Sequence, residues 1–257
     1  MESIQILGAY GGKSAEHGTT TLLLSDHITI DAGNIMRPLG PLAQLIDHIF
    51  LTHSHLDHIA DIPFLIDAFF NERTTPLNIY GLPATIEAIK RYIFNWEIWP
   101  DFNEINLINQ NDKAVLFHSI SIAEQYTVNG ITLEPFATNH TVPSCGYIIK
   151  KGNNKLMFTA DTYKCPSIWE RLNNDREIKA LIIEVSFPSR FPKLAEDSRH
   201  LTPALLKEEL SHLSRNDIAL YINHLKPVYM DEIRNELAAL GMNNIVTILH
   251  DNYKIIF

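Results

Sequence analysis

Short apolar runs, many of them alternating with polar residues, predict β-strands along most of the chain. Most runs are bounded by Gly, Pro, Asn or Asp, which interrupt strands and favour turns. The predicted strands are Ile4–Leu7, Thr20–Leu24, Ile28–Asp31, Ile49–Thr52, Asn78–Tyr80, Thr132–Phe136, Gly146–Lys150, Lys155–Thr159, Ala180–Glu184, Ala219–Ile222, Ile245–Leu249 and Tyr253–Phe257.

Longer segments with apolar residues at helical spacing predict helices between these strands. Asp61 and Thr202 stand where N-caps are expected, each with a proline in the following turn, and Gly241 stands where the last helix would end. The predicted helices are 61–70, Pro83–Phe94, Pro166–Asn173, Thr202–Leu213 and Tyr229–Leu240, and Asn95–Asn111 is expected to be irregular. This order of elements indicates an α/β (α+β) fold with two sheets packed face to face and helices outside.

The chain has no repeat, low-complexity run or linker, so residues 1–257 are expected to form one domain. No run approaches the roughly 18 apolar residues of a membrane span, and no secretory signal is visible, so no membrane association is expected. The two cysteines, Cys145 and Cys165, are too few for a disulfide framework and suit a reducing compartment. The expected location is the cytoplasm.

The formal net charge is −9 and there is no basic run. Because affinity for nucleic acid rests largely on Lys and Arg neutralising phosphates, a long nucleic acid is not an expected partner. A small phosphate ester remains compatible, since bound metal ions would invert the local field.

A block of metal-binding residue types, His53–His58, follows a predicted apolar strand and precedes a predicted helix. Side chains two apart at a strand end point the same way, so His53 and His55 are expected to share one ion. Asp57 and His58 lie past the turn and can reach a second ion about 3.5–4 Å from the first, the usual spacing of two-metal sites. The block therefore predicts a site for two metal ions.

Three later residues, His140, Asp161 and His224, each follow closely on a predicted apolar strand. Each alone is compatible with an ordinary loop position. Because the ends of several strands can converge on one rim, together they are candidates for the same site as the block.

The order His-x-His-x-Asp-His, followed by His, Asp and His at strand ends, resembles the metallo-β-lactamase superfamily over nearly the whole chain. The resemblance implies a four-layer αββα sandwich and two divalent metal ions. Zinc is favoured by the histidines, and Mn²⁺ or Fe²⁺ is compatible with the mixed nitrogen and oxygen donors. The implied ligands are His53, His55 and His140 for one ion, Asp57, His58 and His224 for the other, and Asp161 for both.

Several segments resemble class II 3′,5′-cyclic-nucleotide phosphodiesterases within that superfamily. They are 55–58 with Leu56 between the ligands, 94–101, 184–188, 199–203 and 223–227. That family usually has Gly two residues after Ile59, where this chain has Asp61. The implied substrate is cyclic AMP or cyclic GMP, the product is the nucleoside 5′-monophosphate, and the resemblance also suggests a homodimer.

Glu184 and His200 also resemble the Glu and His blocks of ribonuclease Z. An alkoxide is a poor leaving group at pH 7, and a histidine held by a carboxylate is suited to protonate it. The hypothesis is that a hydroxide held between the ions beside Asp161 attacks phosphorus, while His200, oriented by Glu184, protonates O3′.

Four residues are candidate substrate contacts. Trp96 and Trp99 could stack on a nucleobase, the alternative being that they pack their own loop onto the body of the protein. Asn95 and Ser186 could contact phosphate or sugar.

Three other functions remain open. A ribonuclease Z-like enzyme acting on RNA is disfavoured by the acidic charge, and a lactonase or thioesterase would leave the Glu184/His200 pair without a duty. A metal-bound but inactive binding module is disfavoured because the implied ligand set is complete.

Overall fold

Two seven-stranded mixed sheets form the centre of the structure, a computed structural model that describes residues 2–257. The first sheet has the order β14-β1-β2-β3-β4-β5-β6 and the second β13-β12-β11-β10-β9-β8-β7. The strands are β1 (Ser3–Gly8), β2 (Thr21–Ser25), β3 (Ile28–Ile30), β4 (His48–Phe50), β5 (Leu77–Gly81), β6 (Val115–Ser119), β7 (Tyr126–Val128), β8 (Ile131–Ala137), β9 (Cys145–Lys151), β10 (Asn154–Phe158), β11 (Ile178–Glu184), β12 (Ala219–Asn223), β13 (Val246–Ile248) and β14 (Lys254–Ile256).

Eight α-helices connect the strands within the described residues. They are α1 (Met36–Leu39), α2 (Leu56–Ile59), α3 (Ile62–Ala68), α4 (Pro83–Tyr92), α5 (Pro166–Asn174), α6 (Pro192–Ser198), α7 (Pro203–Leu210) and α8 (Met230–Ala239), with 3₁₀ turns at Gly40–Leu45 and Pro227–Tyr229.

Alternation along β4 sorts side chains between two cores. Phe50 is buried between the sheets, where it packs edge-on against Tyr147 of β9 with the ring centroids 6.1 Å apart. Ile49 and Leu51 face the other way and are buried with Ile62 and other side chains of α3 and α4. The Tyr147 hydroxyl donates to the Leu51 carbonyl at 2.7 Å and so joins the two sheets.

Helices α5, α7 and α8 pack on the second sheet. Trp169, Leu206 and Ile233, one from each helix, are buried in the same cluster as the apolar residues of β10 and β11. With α3 and α4 on the first sheet, the layers follow the order helix, sheet, sheet, helix. The predicted αββα sandwich is confirmed.

The structure adds elements that the hydrophobic pattern did not predict. Strand β7 lies at the edge of its sheet, and its three residues are too few to predict a strand from alternation. Helix α6 buries only Ala195 and has no apolar stripe. Strand β6 and helices α1 and α2 were also missed, and the predicted helix 61–70 is observed as α3. Residues 95–111 contain no helix or strand, as expected.

Asp61 lies at the N-cap position of α3, but the expectation that its side chain caps that helix was wrong. Its Oδ2 accepts hydrogen bonds instead from the backbone N–H groups of Ile35 and Met36, at 2.6 and 2.8 Å, at the start of α1. Thr202 caps α7 as predicted, accepting from Leu205 N. Asp61 therefore fixes α1 against the turn that follows α2.

Parallel strands bring several chain segments to the same edge of each sheet. Strands β3 to β6 run parallel in the first sheet, and β10 to β13 run parallel in the second. The residues that follow β3, β4, β10, β11 and β12 are thus placed to meet. In the described part of the chain, no helix is both long enough and apolar enough for a membrane span.

Replacing Asp61 by Ala should lower the free energy of unfolding by about 1–3 kcal/mol, because two backbone N–H groups, one of them fully buried, lose their acceptor. Urea unfolding of the metal-free protein measures the change. Asp67→Ala, at an exposed position of α3, is the control and should stay within about 0.5 kcal/mol of the parent. Equal effects of the two substitutions would contradict the capping role.

Candidate metal centre

Strand ends from both sheets meet at one place. The block 53–58 follows β4 of the first sheet, whereas Asp161 and His224 follow β10 and β12 of the second. His140 comes from the loop between β8 and β9. The side chains that the sequence singles out thus converge although they are far apart along the chain.

Donor atoms of these side chains form compact groups, within each of which all atoms lie within 4.8 Å of one another. The groups are His53, His55, His140 and Asp161; Asp57, His58 and His224; and Asp161, His200 and His224. All seven predicted ligands are therefore brought together, in the two sets that the resemblance implies, and the structure adds His200 beside them.

Asp161 lies between the two sets of histidines. Its Oδ2 is 3.7 Å from His53 Nε2 and 3.3 Å from His58 Nε2, and its Oδ1 is 3.2 Å from His224 Nε2. Asp161 is almost completely buried. Its Oδ2 thus faces histidines of both sets and its Oδ1 faces His224 of the second, so one carboxylate is within reach of both sets.

The residues present fit divalent metal ions. Among residues 2–257, the buried Nε2 atoms of His53, His58 and His224 have no hydrogen-bond partner. A buried polar atom without a partner costs about 1–3 kcal/mol, and here three of them surround one carboxylate. Cations would satisfy all three, and imidazole with carboxylate suits Zn, Fe or Mn.

The ionisation of the cluster agrees with a site for cations. Burial alone would raise the pKa of Asp161, but His224 and His58 hold that pKa well below its usual value. Burial lowers the pKa of His140 to about 4, against the opposing effect of Asp161. Burial would also lower the pKa of His58, yet the carboxylates of Asp161 and Asp31 raise it well above its usual value. Asp161 is thus held ionised and His140 neutral, which are the forms in which these groups bind a cation.

Left-handed backbone occurs at three strand ends of the centre. The φ angles of Asp31, Ala160 and His224 are 59°, 53° and 64°. Such residues cost of order 1–3 kcal/mol each unless the surroundings hold them. Each turns the chain sharply where a side chain must point into the centre.

Asp31 is a residue of the centre that the sequence analysis did not single out. Its Oδ2 lies 2.7 Å from His58 Nδ1, and it also accepts hydrogen bonds from the backbone N–H and the hydroxyl of Thr52. A carboxylate on one ring nitrogen fixes the tautomer that turns the other nitrogen toward a metal. Asp31 follows β3, so the strand-end pattern that indicated Asp161 could have found it.

Glu184 and His200 form the predicted pair. His200 Nδ1 lies 2.7 Å from Glu184 Oε1, and both side chains are buried. Burial alone would lower the pKa of His200, but Glu184 raises that pKa above its ordinary value. The ring lies parallel to that of His224 at 5.3 Å between centroids, so it borders the donor cluster.

Ser186 is not placed as a substrate contact, and this prediction is corrected. Its side chain is fully buried. The Oγ donates to Glu184 Oε2 at 2.8 Å and lies 3.0 Å from His224 Nδ1. The hydroxyl therefore supports other side chains of the centre and does not face a ligand.

The segment with Asn95, Trp96 and Trp99 makes its own internal contacts. The Asn95 carboxamide oxygen accepts from two N–H groups of its own turn, at 2.8 and 3.0 Å. Trp96 is exposed and its Nε1 donates to Glu104, while Trp99 packs edge-on against Phe64. These contacts favour loop packing over base stacking, and a role of the three residues in substrate binding stays a prediction.

Two open cavities flank the centre. One, of about 370 Å³, lies beside Asp57 and is bordered by Lys13 and Lys226. The other, of about 470 Å³, lies beside His140 and is lined mainly by the loop 137–144. A larger cavity of about 630 Å³ lies between α7, α8 and the beginnings of β12 and β13, at the other end of these strands from the donor cluster.

Gly11 lies directly against His224. A Cβ at Gly11 would lie 2.5 Å from His224 Nδ1 and 2.7 Å from the His224 carbonyl oxygen, whereas a Cβ at Gly12 would meet only Pro227 at 3.2 Å. The sequence analysis had no signal for this contact, since the Gly pair has no motif of its own.

Gly11→Ala should displace His224 and weaken binding at the Asp57, His58 and His224 set, because the added methyl group overlaps the ring and its backbone. The measurement is the metal content after dialysis, with about one ion fewer per chain expected if two are held by the parent. Gly12→Ala is the matched control and should keep the parent content. Full metal content in Gly11→Ala would contradict the role given to this contact.

Comparisons with known proteins agree with this geometry. The family model described as "Beta-lactamase superfamily domain" matches residues 27–228. A probable 3′,5′-cyclic-nucleotide phosphodiesterase of Yersinia pestis is 24% identical over 87% of this chain and 78% of its own length. A ribonuclease Z of Clostridium beijerinckii is 29% identical over 69% of this chain and 59% of its own length.

Solved structures share the fold. The crystal structure of unliganded yeast PDE1 has a TM-score of 0.84 at 20% identity, with 99% of each chain covered. Human tRNase Z, short form, has a TM-score of 0.70 at 17% identity, with 99% of this chain and 98% of the other covered. With the family match over most of its length and a donor cluster at the shared edge of two sheets, the chain belongs to the beta-lactamase superfamily and has the metallo-β-lactamase fold.

Proposed function

We propose that this chain is a metal-dependent phosphodiesterase that hydrolyses 3′,5′-cyclic nucleotides to nucleoside 5′-monophosphates. The observation that carries the proposal is the buried Glu184/His200 pair at the border of the donor cluster. Relatives named as cyclic-nucleotide phosphodiesterases, in Yersinia pestis and Aliivibrio fischeri, support the same reaction.

In this proposal the donor sets hold two divalent ions, with zinc favoured by the number of histidines. The ligands would be His53, His55 and His140 for one ion, Asp57, His58 and His224 for the other, and Asp161 for both. Such ions, when bound, supply a water of lowered pKa and positive charge for the phosphate oxygens.

His200 would act as the proton donor to the leaving oxygen. Its Nδ1–H is held by Glu184, so Nε2 is the ring atom left for the substrate. Because the pKa of His200 is raised, its ring keeps the second proton at a higher pH than the ring of an ordinary histidine does. Transfer of the Nε2 proton to O3′ releases that oxygen as a neutral hydroxyl, and Glu184 stabilises the imidazolium before the transfer.

The surroundings of the centre suit a mononucleotide better than an RNA. The flanking cavities of about 370 and 470 Å³ match small ligands. Lys13 and Lys226 border one of them, so an anionic group beside Asp57 would meet two cations. The chain as a whole is acidic, with a net charge of −9, and its sequence has no basic run of the kind that favours a long polyanion.

An RNA phosphodiesterase is the second candidate, because relatives named ribonuclease Z match with similar identity. A lactonase or thioesterase is the third candidate. The Glu184/His200 pair counts against a thioesterase, because a thiolate leaves without a proton donor. A lactone expels an alkoxide, so it is the relatives named as phosphodiesterases that count against a lactonase. A dimer stays a prediction.

The proposed function is tested by giving zinc-loaded protein cyclic AMP, cyclic GMP, a precursor tRNA, an acyl-homoserine lactone and bis-p-nitrophenyl phosphate. We expect turnover of a cyclic nucleotide with only the 5′-monophosphate as product, read by chromatography. Cleavage of the tRNA without cyclic-nucleotide turnover would establish the second candidate, and turnover of the lactone alone would overturn the proposal.

His200→Ala should lower kcat on the cyclic nucleotide by roughly 10²–10⁴-fold while metal content stays unchanged. The loss should be much smaller on bis-p-nitrophenyl phosphate, because its leaving group is stable as an anion and needs no proton. His212→Ala, at an exposed position, is the control. An equal loss on both substrates would exclude a proton donor, and a loss of metal would make His200 a ligand.

A further inference from the structure

Glu184 is connected to more of the centre than His200 alone. It is fully buried at the end of β11. Its Oε1 accepts from His200 Nδ1 at 2.7 Å and from the backbone N–H of Thr162, the residue after Asp161, at 3.1 Å. Its Oε2 accepts from the Ser186 hydroxyl at 2.8 Å. One carboxylate thus contacts three different segments of the site.

Ser186 continues this network to His224. Residues 184 and 186 are two apart at the end of a strand, so both side chains point to the same side. Ser186 Oγ lies 3.0 Å from His224 Nδ1, and both side chains are almost completely buried. Water therefore does not replace either partner.

The proton count determines the direction of the hydrogen bonds. A serine hydroxyl has one proton and two lone pairs. Its acceptors in reach are the Glu184 carboxylate at 2.8 Å, the His224 carbonyl at 3.2 Å and, in one tautomer, His224 Nδ1 at 3.0 Å. The carboxylate is charged and is the closest of the three, so it receives the hydroxyl proton. His200 Nδ1 already gives its proton to the same carboxylate. The lone pairs of Ser186 are then free to accept the Nδ1 proton of His224.

We propose that Ser186 is a positioning residue that connects Glu184 to His224. Its hydroxyl donates to the Glu184 carboxylate and accepts from His224 Nδ1, and we call this pair of hydrogen bonds the relay. Accepting the Nδ1 proton fixes His224 in the tautomer whose bare Nε2 faces Asp161 and Asp57, at 3.2 and 3.3 Å. A single buried carboxylate therefore orients both the proposed proton donor and a proposed metal ligand. The catalytic half of this statement rests on the proposed function, and the metal-binding half does not.

A purely structural role for Ser186 makes a different prediction. If the hydroxyl only filled space, removing it would change the free energy of unfolding and leave the zinc affinity of both donor sets unchanged. The relay acts on one set of donors alone, because none of the hydrogen bonds of Ser186 reaches His53, His55 or His140.

The experiment compares Ser186→Ala, Ser186→Thr and a control, Thr85→Val, which removes a buried hydroxyl in α4 away from the centre. Zinc affinity of each protein is measured by competition with a chromophoric chelator, and unfolding of the metal-free proteins is followed in parallel. We expect Ser186→Ala to weaken one of two zinc-binding steps by roughly 10–100-fold. Ser186→Thr, which keeps the hydroxyl, should restore that step, and Thr85→Val should match the parent.

Three outcomes would overturn the relay. The first is unchanged zinc affinity in Ser186→Ala, and the second is an equal loss of affinity at both binding steps. The third is that Ser186→Thr has the same weakened affinity as Ser186→Ala although the two metal-free proteins are equally stable. Since zinc binding needs no substrate, these results stand whether or not the protein hydrolyses cyclic nucleotides. If it does, Ser186→Ala should also lower kcat more than it changes KM, because His224 loses its orienting partner while the substrate cavities remain.

Discussion

The negative charge of Asp161 is the constraint on which the rest of the centre depends. The carboxylate is only 2% exposed, and its neighbours keep it ionised. A buried charge without compensation costs several kcal/mol, so this position is tolerable only with cations or proton donors around it. The histidines supply ring nitrogens on both sides of it, and the fold supplies their directions. At the edge where both sheets end, side chains from four other segments approach this one carboxylate.

Five histidines of the centre are oriented by a contact on Nδ1, the ring nitrogen that faces away from the donor cluster. His53 Nδ1 lies 3.0 Å from the Thr52 hydroxyl, and His140 Nδ1 lies 3.2 Å from the Arg199 carbonyl. The corresponding partners of His58, His200 and His224 are Asp31, Glu184 and Ser186. Such outer contacts fix ring orientation before a ligand arrives, which lowers the reorganisation that binding requires. Most of them are buried, so the orientation does not depend on solvent.

The sequence predicted the sandwich and the cluster because both follow from local patterns. Strand periodicity sorted Ile49, Phe50 and Leu51 between two cores, and polar residues at strand ends indicated the block 53–58 and its later partners. The sequence did not predict contacts that depend on how distant segments approach. Asp61 caps α1 because the turn after α2 lies beside the start of α1 in the fold. A capping pattern in the sequence predicts a cap only for the helix that directly follows it. Gly11 and Ser186 matter because they contact His224, which is remote in sequence from both; His224 follows β12, and Ser186 follows the neighbouring strand β11.

The donors of the centre are spread from His53, after β4, to His224, after β12. No part of the chain that ends before β12 can therefore offer the complete set, however well its own strands have formed. During synthesis, β1 to β11 emerge while Asp57 and His58 still lack their third partner, and β14, the edge strand of the first sheet, emerges last. Ion capture at full affinity thus comes after long-range closure of the second sheet, and the closing contact forms across a large sequence separation, which is entropically the slow kind. A complete donor set therefore exists only in a chain whose β12 has joined the second sheet.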